Sequence, residues 1–188
     1  MRPPPAPPRA RRTDTAPDRT TPTGALINTY LTTTAATPLS GPAIHLLFAA
    51  NRWEAAPALE ALLRAGTTLV LDRYIYSGIA FGLARGLDYA WCKAPDVGLP
   101  APDAVVFLDI DPAVAAARGG FGEERYERAE LQAQVRRNFE EVGRREGQAV
   151  GWKVVDAGRE VEAVADEVWS VVEQVMADVG CKDVGRIA

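Results

Sequence analysis

The chain has 188 residues, 47% of them hydrophobic and 24% charged, with a formal net charge of −4. That length supports one domain with a real core, and the composition suits a soluble globular protein. The acidic balance argues against non-specific nucleic-acid binding, which needs a basic face, and no apolar run approaches membrane-spanning length.

Met1–Pro17 opens the chain as a Pro- and Arg-rich stretch and is expected to be a disordered tail. It has no apolar central region, so it does not read as a secretory signal, and its prolines spoil an amphipathic helix. The periodic part begins near Gly24. Gly24–Leu31 reads as a short helix, Thr32–Gly41 as a loop, and Pro42–Glu54 as a helix with proline in its first turn. Pro57 is expected to start a new helical segment to Arg64, which Gly66 ends. Three short apolar runs follow, each closing on an aspartate: Thr67–Leu71 before Asp72, Ala104–Leu108 before Asp109, and Trp152–Val155 before Asp156. They are continuous rather than alternating, as expected of strands buried on both faces of a parallel sheet. Helices are expected at Ser77–Arg85, Tyr89–Ala94, Pro112–Arg118, Arg128–Glu146 and Val161–Asp178. The alternation predicts an α/β sandwich with right-handed crossovers, divided into a tail at 1–17, a domain at 18–180 and a C-terminal tail at 181–188.

Two cysteines, Cys92 and Cys181, make neither a disulfide framework nor a metal-binding spacing, so a reducing compartment is expected. Lysine occurs only at Lys93, Lys153 and Lys182. The arginine excess reads either as coding bias or as a supply of bidentate phosphate ligands.

Ligands in parallel α/β folds sit beyond the carboxyl ends of the strands, where Asp72, Arg73, Asp109 and Asp156 fall; aspartate is also a common turn residue there. Phe48 and Arg52 are four apart and share a helix face. An aromatic ring beside a guanidinium can stack on a base and donate to its edge, and the same spacing also suits a core Phe with an Arg at the helix rim. Asp72-Arg73-Tyr74 follows a strand, so Arg73 can hold a phosphate in a charge-assisted fork, or Asp72 can simply start a helix. Arg118–Glu127 combines three glycines with a charge cluster and reads as a lid with Arg118 or Arg125 over phosphates, or as an ordinary polar loop.

In order, these segments resemble thymidylate kinases of the eukaryotic type: P-D-R-T-T at Pro17–Thr21, H-L-L-F-A-A-N-R-W-E at His45–Glu54, and D-R-Y-I-Y-S-G-I-A-F at Asp72–Phe81. W-C-K-A-P-D-V-G-L-P-A-P-D at Trp91–Asp103, R-G-G-F-G-E-E-R-Y-E at Arg118–Glu127 and W-K-V-V-D-A at Trp152–Ala157 continue the match. The resemblance implies a P-loop-kinase-like three-layer sandwich and transfer of phosphate from ATP to dTMP, with Mg2+ accompanying ATP. It implies that Phe48 stacks on thymine and Arg52 donates to the base edge. Arg19 and Arg73 would bind the monophosphate, Asp72 would stand near the reacting phosphates and magnesium, and Ser77, Gly78 and Phe81 would line the base and sugar pocket. Tyr126 would close over the nucleotide, while Arg118, Arg125 and the Asp156–Arg159 loop, with Arg159, would lie at the ATP side. It further implies a homodimer through helices, the one beginning at Pro42 contributing, and a cytoplasmic location with the nucleus as a second compartment.

The family opens with a buried strand, G-x-x-x-x-G-K-[ST] and a helix, all ahead of P-x-R-[ST]-T. Met1–Ala16 stands in that place here, and no Gly-x4-Gly-Lys occurs in the chain. Without the backbone amides, lysine and hydroxyl of that loop, negligible kinase activity is expected of these residues alone. The sheet is expected to lack its first, central strand, leaving unpaired edges. The alternatives are a truncated gene model, a non-catalytic dTMP-binding module, or a kinase for UMP or CMP, against which N-R-W-E and D-R-Y stand.

Overall fold

The computed structural model describes residues 9–13, 17–32, 39–118, 129–179 and 182–188. Strand β1 (Arg9–Thr13) precedes helices α1 (Pro22–Thr32) and α2 (Gly41–Arg64), and β2 (Thr67–Leu71) precedes α3 (Ile75–Leu83) and α4 (Tyr89–Lys93). A single 3-10 turn at Ala94–Asp96 leads to β3 (Val105–Asp109), α5 (Pro112–Ala117), α6 (Ala129–Glu146), β4 (Trp152–Asp156) and α7 (Val161–Val179).

The elements are an α/β set with parallel pairing. β1 runs parallel to β2 with Arg9 opposite Thr67 and Thr13 opposite Leu71. β3 runs parallel to β4 with Val105 opposite Trp152 and Asp109 opposite Asp156. The two pairs are not hydrogen-bonded to each other among the described residues. Val70, Leu108 and Val154, on β2, β3 and β4, are about half exposed, which corrects the expectation of strands buried on both faces. A sheet in two halves leaves part of each strand's surface uncovered.

Three further expectations change. The tail at 1–17 contains β1, because an open parallel edge on β2 offers main-chain hydrogen bonds that any non-proline backbone can accept. Pro57 does not divide α2, which runs unbroken through it. Proline removes one ladder hydrogen bond there, but it lies on the exposed side while Ala56 and Leu59 bury the opposite face. The C-terminal tail is docked over Gly185–Ile187. Ile187 is buried, and its main chain exchanges hydrogen bonds with Gly98 and Leu99 at 2.9 Å.

Two apolar clusters hold the chain. The larger joins α3 to α6 and the C-terminus through Ile75, Tyr76, Ile79, Val142 and Ile187, and the edge of Tyr76 meets Trp152 of β4 at 5.6 Å. The smaller joins α1 to α2 through Ile27, Tyr30, Leu31 and Ile44. At α3 the packing is close enough to demand glycine. A Cβ on Gly82 would stand 2.4 Å from Cys92 Sγ.

Candidate functional site

α2 and α3 each turn one face toward a cavity of about 270 Å³. On α2, His45, Phe48 and Arg52 recur at helical spacing and all line it. From the end of β2, Asp72, Arg73 and Tyr74 enter it, followed along α3 by Ser77, Gly78 and Phe81. Arg19, from the turn after β1, completes the set expected from the sequence.

Arg73 has φ +64°, the only positive φ outside glycine among the described residues. A side-chain-bearing residue in the left-handed region costs about 1–3 kcal/mol and persists where its surroundings over-determine it. The turn takes the chain from β2 to α3 in three residues, and it brings the Arg73 guanidinium to 5.7 Å from the centre of the Phe81 ring. Asp72 and Arg73 are exposed at the cavity, ready for a ligand.

Arg19 is set by a network invisible to motif spacing. Its Nη1 donates to Asn28 Oδ1 on α1 at 2.9 Å. The buried Asn51 accepts from the Asp18 main-chain N–H at 2.9 Å and directs its amide at Asp18 O, Thr21 Oγ1 and Thr23 Oγ1. The P-D-R-T-T turn is thereby fastened to α2. Asp18 accepts from the Thr20 hydroxyl and main chain, which holds its carboxyl below the usual carboxylate range. A Cβ on Gly24 would collide with the Asp18 carbonyl at 1.8 Å, so glycine lets α1 and this turn meet.

Arg52 is buried and fully engaged on one edge. Its Nε and Nη2 donate to Asp96 Oδ1 and Oδ2 at 2.8 and 2.6 Å, with exposures of 4% and 0%. Four arginines (Arg19, Arg52, Arg73 and Arg85) and one aspartate (Asp72) therefore face a cavity whose Arg52 charge is already balanced from behind by Asp96. Arg73, exposed at the cavity, can meet an anion there, and Phe48 and Phe81 supply apolar faces. The Tyr74 hydroxyl is buried with no hydrogen-bond partner among the described residues, and burial pushes it up to about 12. A buried orphan donor in a cavity wall suits a polar ligand atom.

His45, Tyr74, Arg85 and Gln132 also line the cavity and were not singled out from sequence. Helical spacing from Phe48 and Phe81 could have found the first three. Gln132 on α6 carries no such signal. Two expected residues stand elsewhere. Arg118 donates to the Arg159 carbonyl at 3.3 Å, and Arg159 turns back to the Asp156 carbonyl at 3.1 Å and to Glu167; neither lines the cavity. Arg125 and Tyr126 lie outside the described residues. The aspartates ending β3 and β4 both have partners within the fold. Asp109 is clamped by Arg136 at 2.6 and 2.7 Å, which lowers its carboxyl below the usual range. Asp156 accepts from the Gly158 N–H at 2.8 Å and closes a turn.

Comparisons with known proteins bear on the chain as a whole. The family model described as "Thymidylate kinase" matches residues 9–168. The chain is 47% identical to the thymidylate kinase of Arabidopsis thaliana over 83% of its own length and 57% of that protein. It is 46% identical to that of Schizosaccharomyces pombe over 85% of its length and 75% of the relative, and 40% identical to that of Homo sapiens over 91% and 79%. A solved thymidylate kinase from Candida albicans, reported for its broad substrate specificity and a novel structural element, superposes with a TM-score of 0.85. It is 36% identical and covers 95% of this chain and 86% of its own. On this similarity, and on an α/β fold with parallel strands like theirs, the chain belongs to the thymidylate kinase family, a family of nucleoside monophosphate kinases.

Proposed function

We propose that the cavity between α2 and α3 binds dTMP, with Phe48 stacked on thymine and Arg52 donating to the base edge. Arg19 and Arg73 hold the 5′-phosphate, and Ser77, Gly78 and Phe81 enclose the sugar and base. The observation that carries this reading is the convergence of these side chains on one cavity of about 270 Å³ with an excess of arginine. Base–aromatic stacking contributes about 1–3 kcal/mol per base, and an Arg–phosphate fork adds charge-assisted hydrogen bonds. A snug apolar pocket selects the methyl-bearing pyrimidine.

The reaction supported is transfer of a phosphoryl group from ATP to dTMP. Such transfer asks the protein for positioning and charge neutralisation. Asp72, exposed beside Arg73 at the cavity, would help to hold the Mg2+ that accompanies ATP, which would neutralise charge on the phosphate being transferred. Among the described residues no group of three or more acidic, His or Cys side chains is placed to hold a metal ion. Tyr126 and Arg125 are assigned to a lid, and Arg118 and Arg159 to the ATP side. A homodimer in the cytoplasm, with a nuclear fraction, belongs to the same proposal. Because no Gly-x4-Gly-Lys occurs in the 188 residues, monophosphate binding is the step that these residues support by themselves. Phosphoryl transfer is expected when a strand, a P-loop and a helix are supplied ahead of β1, which begins at Arg9.

The test is the melting temperature with and without nucleotide. A ligand at about 100 times its Kd stabilises the folded state by about 2.7 kcal/mol. Millimolar dTMP is expected to raise the melting temperature, ATP to leave it unchanged, and Phe48→Ala to remove most of the dTMP effect. A curve unmoved by dTMP overturns the proposal.

A further inference from the structure

Arg52 reaches the cavity from a buried ion pair with Asp96. Asp96 does not line the cavity, yet both of its oxygens are spent on Arg52. A guanidinium buried without a counter-charge is strongly unfavourable, and a two-point fork fixes the plane of the group as well as its charge. Nε and one N–H of Nη2 are consumed, so donors remain at Nη1 and on the outer side of Nη2. That outer edge faces α3. A Cβ on Gly78 would come within 3.2 Å of Nη2 and 3.3 Å of Nη1, and Gly78 is part of the cavity wall.

Asp96 is itself firmly held, by elements on both sides. Trp53 Nε1 donates to the Pro95 carbonyl at 2.7 Å. His45 Nε2 meets the Cys92 carbonyl at 2.8 Å, which makes that nitrogen the protonated one, since the carbonyl can only accept. Beyond Asp96, Gly98 N–H donates to the Ile187 carbonyl and Ile187 N–H to the Leu99 carbonyl, both at 2.9 Å. The backbone on either side of Asp96 is thus anchored by α2 and by the C-terminal segment.

We infer that Asp96 is a positioning residue: by fixing the guanidinium of Arg52 with one donor edge toward the cavity, it makes the site choose a pyrimidine that presents a carbonyl to that edge over one that presents an amino group there. This rests on the dTMP reading above. Arginine presents donors only, so a fixed donor edge accepts a carbonyl and rejects an amino group. A guanidinium free to swing finds other acceptors, and the preference falls.

The experiment measures Kd for dTMP, dCMP and 2-deoxyribose 5-phosphate with the full chain by calorimetry. In Asp96→Asn the dTMP-over-dCMP preference is expected to fall about tenfold or more, with the affinity for the base-free phosphate unchanged. Asp96→Asn leaves a buried charge unpaired, so Asp96→Glu, which keeps the charge and moves it by one methylene, is measured beside it and is expected to lose preference in the same direction. The double variant Arg52→Gln/Asp96→Asn closes a cycle. Once Arg52 is gone, removing the Asp96 charge is expected to change the preference no further. An unchanged preference in the single Asp96 variants, or an equal loss in the Arg52→Gln background, overturns the positioning role while leaving the dTMP site standing. An unchanged preference in Arg52→Gln overturns the base-edge reading itself, and the positioning role with it.

Discussion

At Arg73 conformation and chemistry pull in opposite directions. Its φ of +64° is a region that glycine enters freely and other residues enter at a cost, yet its guanidinium is assigned to the phosphate. Arg73→Gly therefore separates the two. The variant is expected to melt at or above the temperature of the parent chain, because the strain of about 1–3 kcal/mol is relieved and the greater freedom of glycine in the unfolded chain offsets only part of it. Its affinity for dTMP is expected to fall at least tenfold, since hydrogen bonds to charged groups contribute about 1.5–3 kcal/mol each. Thermal melts and calorimetry on one preparation decide it. A less stable variant that still bound dTMP would mean the left-handed turn serves the fold. Residues of this kind were legible before the structure because a charged side chain after a buried strand, or an aromatic four residues from an arginine, has a chemical reading of its own. Asn51 and Asp96 were not legible. Their work is done on partners 33 and 44 residues away in the chain, and nothing local marks a buried Asn or Asp as a hub.

At the scale of elements, β2, β3, β4 and the long helices α6 and α7 fall within a residue or two of their expected bounds, because continuous apolar runs and amphipathic periodicity are local signals. α3 begins two residues earlier than expected, at Ile75, since Tyr74 takes the N-cap position without a side-chain cap to announce it. The unbroken α2 shows a proline overridden by burial on either side of it. β1 could not be read from composition, because a strand held by main-chain pairing to a neighbour needs no apolar pattern. The junction of α2 with α4 yields a testable pH dependence. His45 is buried between them, its ring 5.4 Å from that of Trp91. Burial first, and then the nearby Arg52 and Arg85, hold its pKa below the ordinary 6.5, against the Cys92 carbonyl and Asp96, which favour the charged form. The folded state thus binds this proton less readily than the unfolded state. Stability is full above pH 6.5 and is lost as pH falls from 6.5 through the lower folded value, by at most about 1.4 kcal/mol per pH unit. The chain has a single histidine, so urea midpoints between pH 7.5 and 5.5 report on it, and His45→Gln is expected to flatten the profile. An undiminished slope in that variant would assign the effect to carboxylates.

On the scale of the whole molecule, the β-sheet alone does not unite the chain, because its two strand pairs share no hydrogen bonds among the described residues. Side-chain packing does this work, and the C-terminal segment is part of it. Ile187 contacts the same cluster as Ile75 and Ile79 of α3 and Val142 of α6, while the neighbouring Arg186 forks onto Glu60 of α2 at 2.5 and 2.9 Å. These two adjacent residues offer a comparison between kinds of interaction. Ile187 is 5% exposed, and truncating a buried isoleucine to alanine costs about 2–5 kcal/mol in lost burial and cavity formation. Arg186 is exposed, at 44%, where an ion pair is screened by water and salt and holds two long side chains at an entropic cost. Ile187→Ala is therefore expected to lower the urea midpoint sharply, Arg186→Ala only slightly, and added salt to shrink the second effect and leave the first. The segment also pins Gly98 and Leu99, just beyond Asp96, so Ile187→Ala is expected to weaken the dTMP-over-dCMP preference under conditions where the variant is still folded. If Arg186→Ala proved the more damaging, the segment would be held by charge, and the hydrophobic link between the C-terminus and the base end of the cavity would fail.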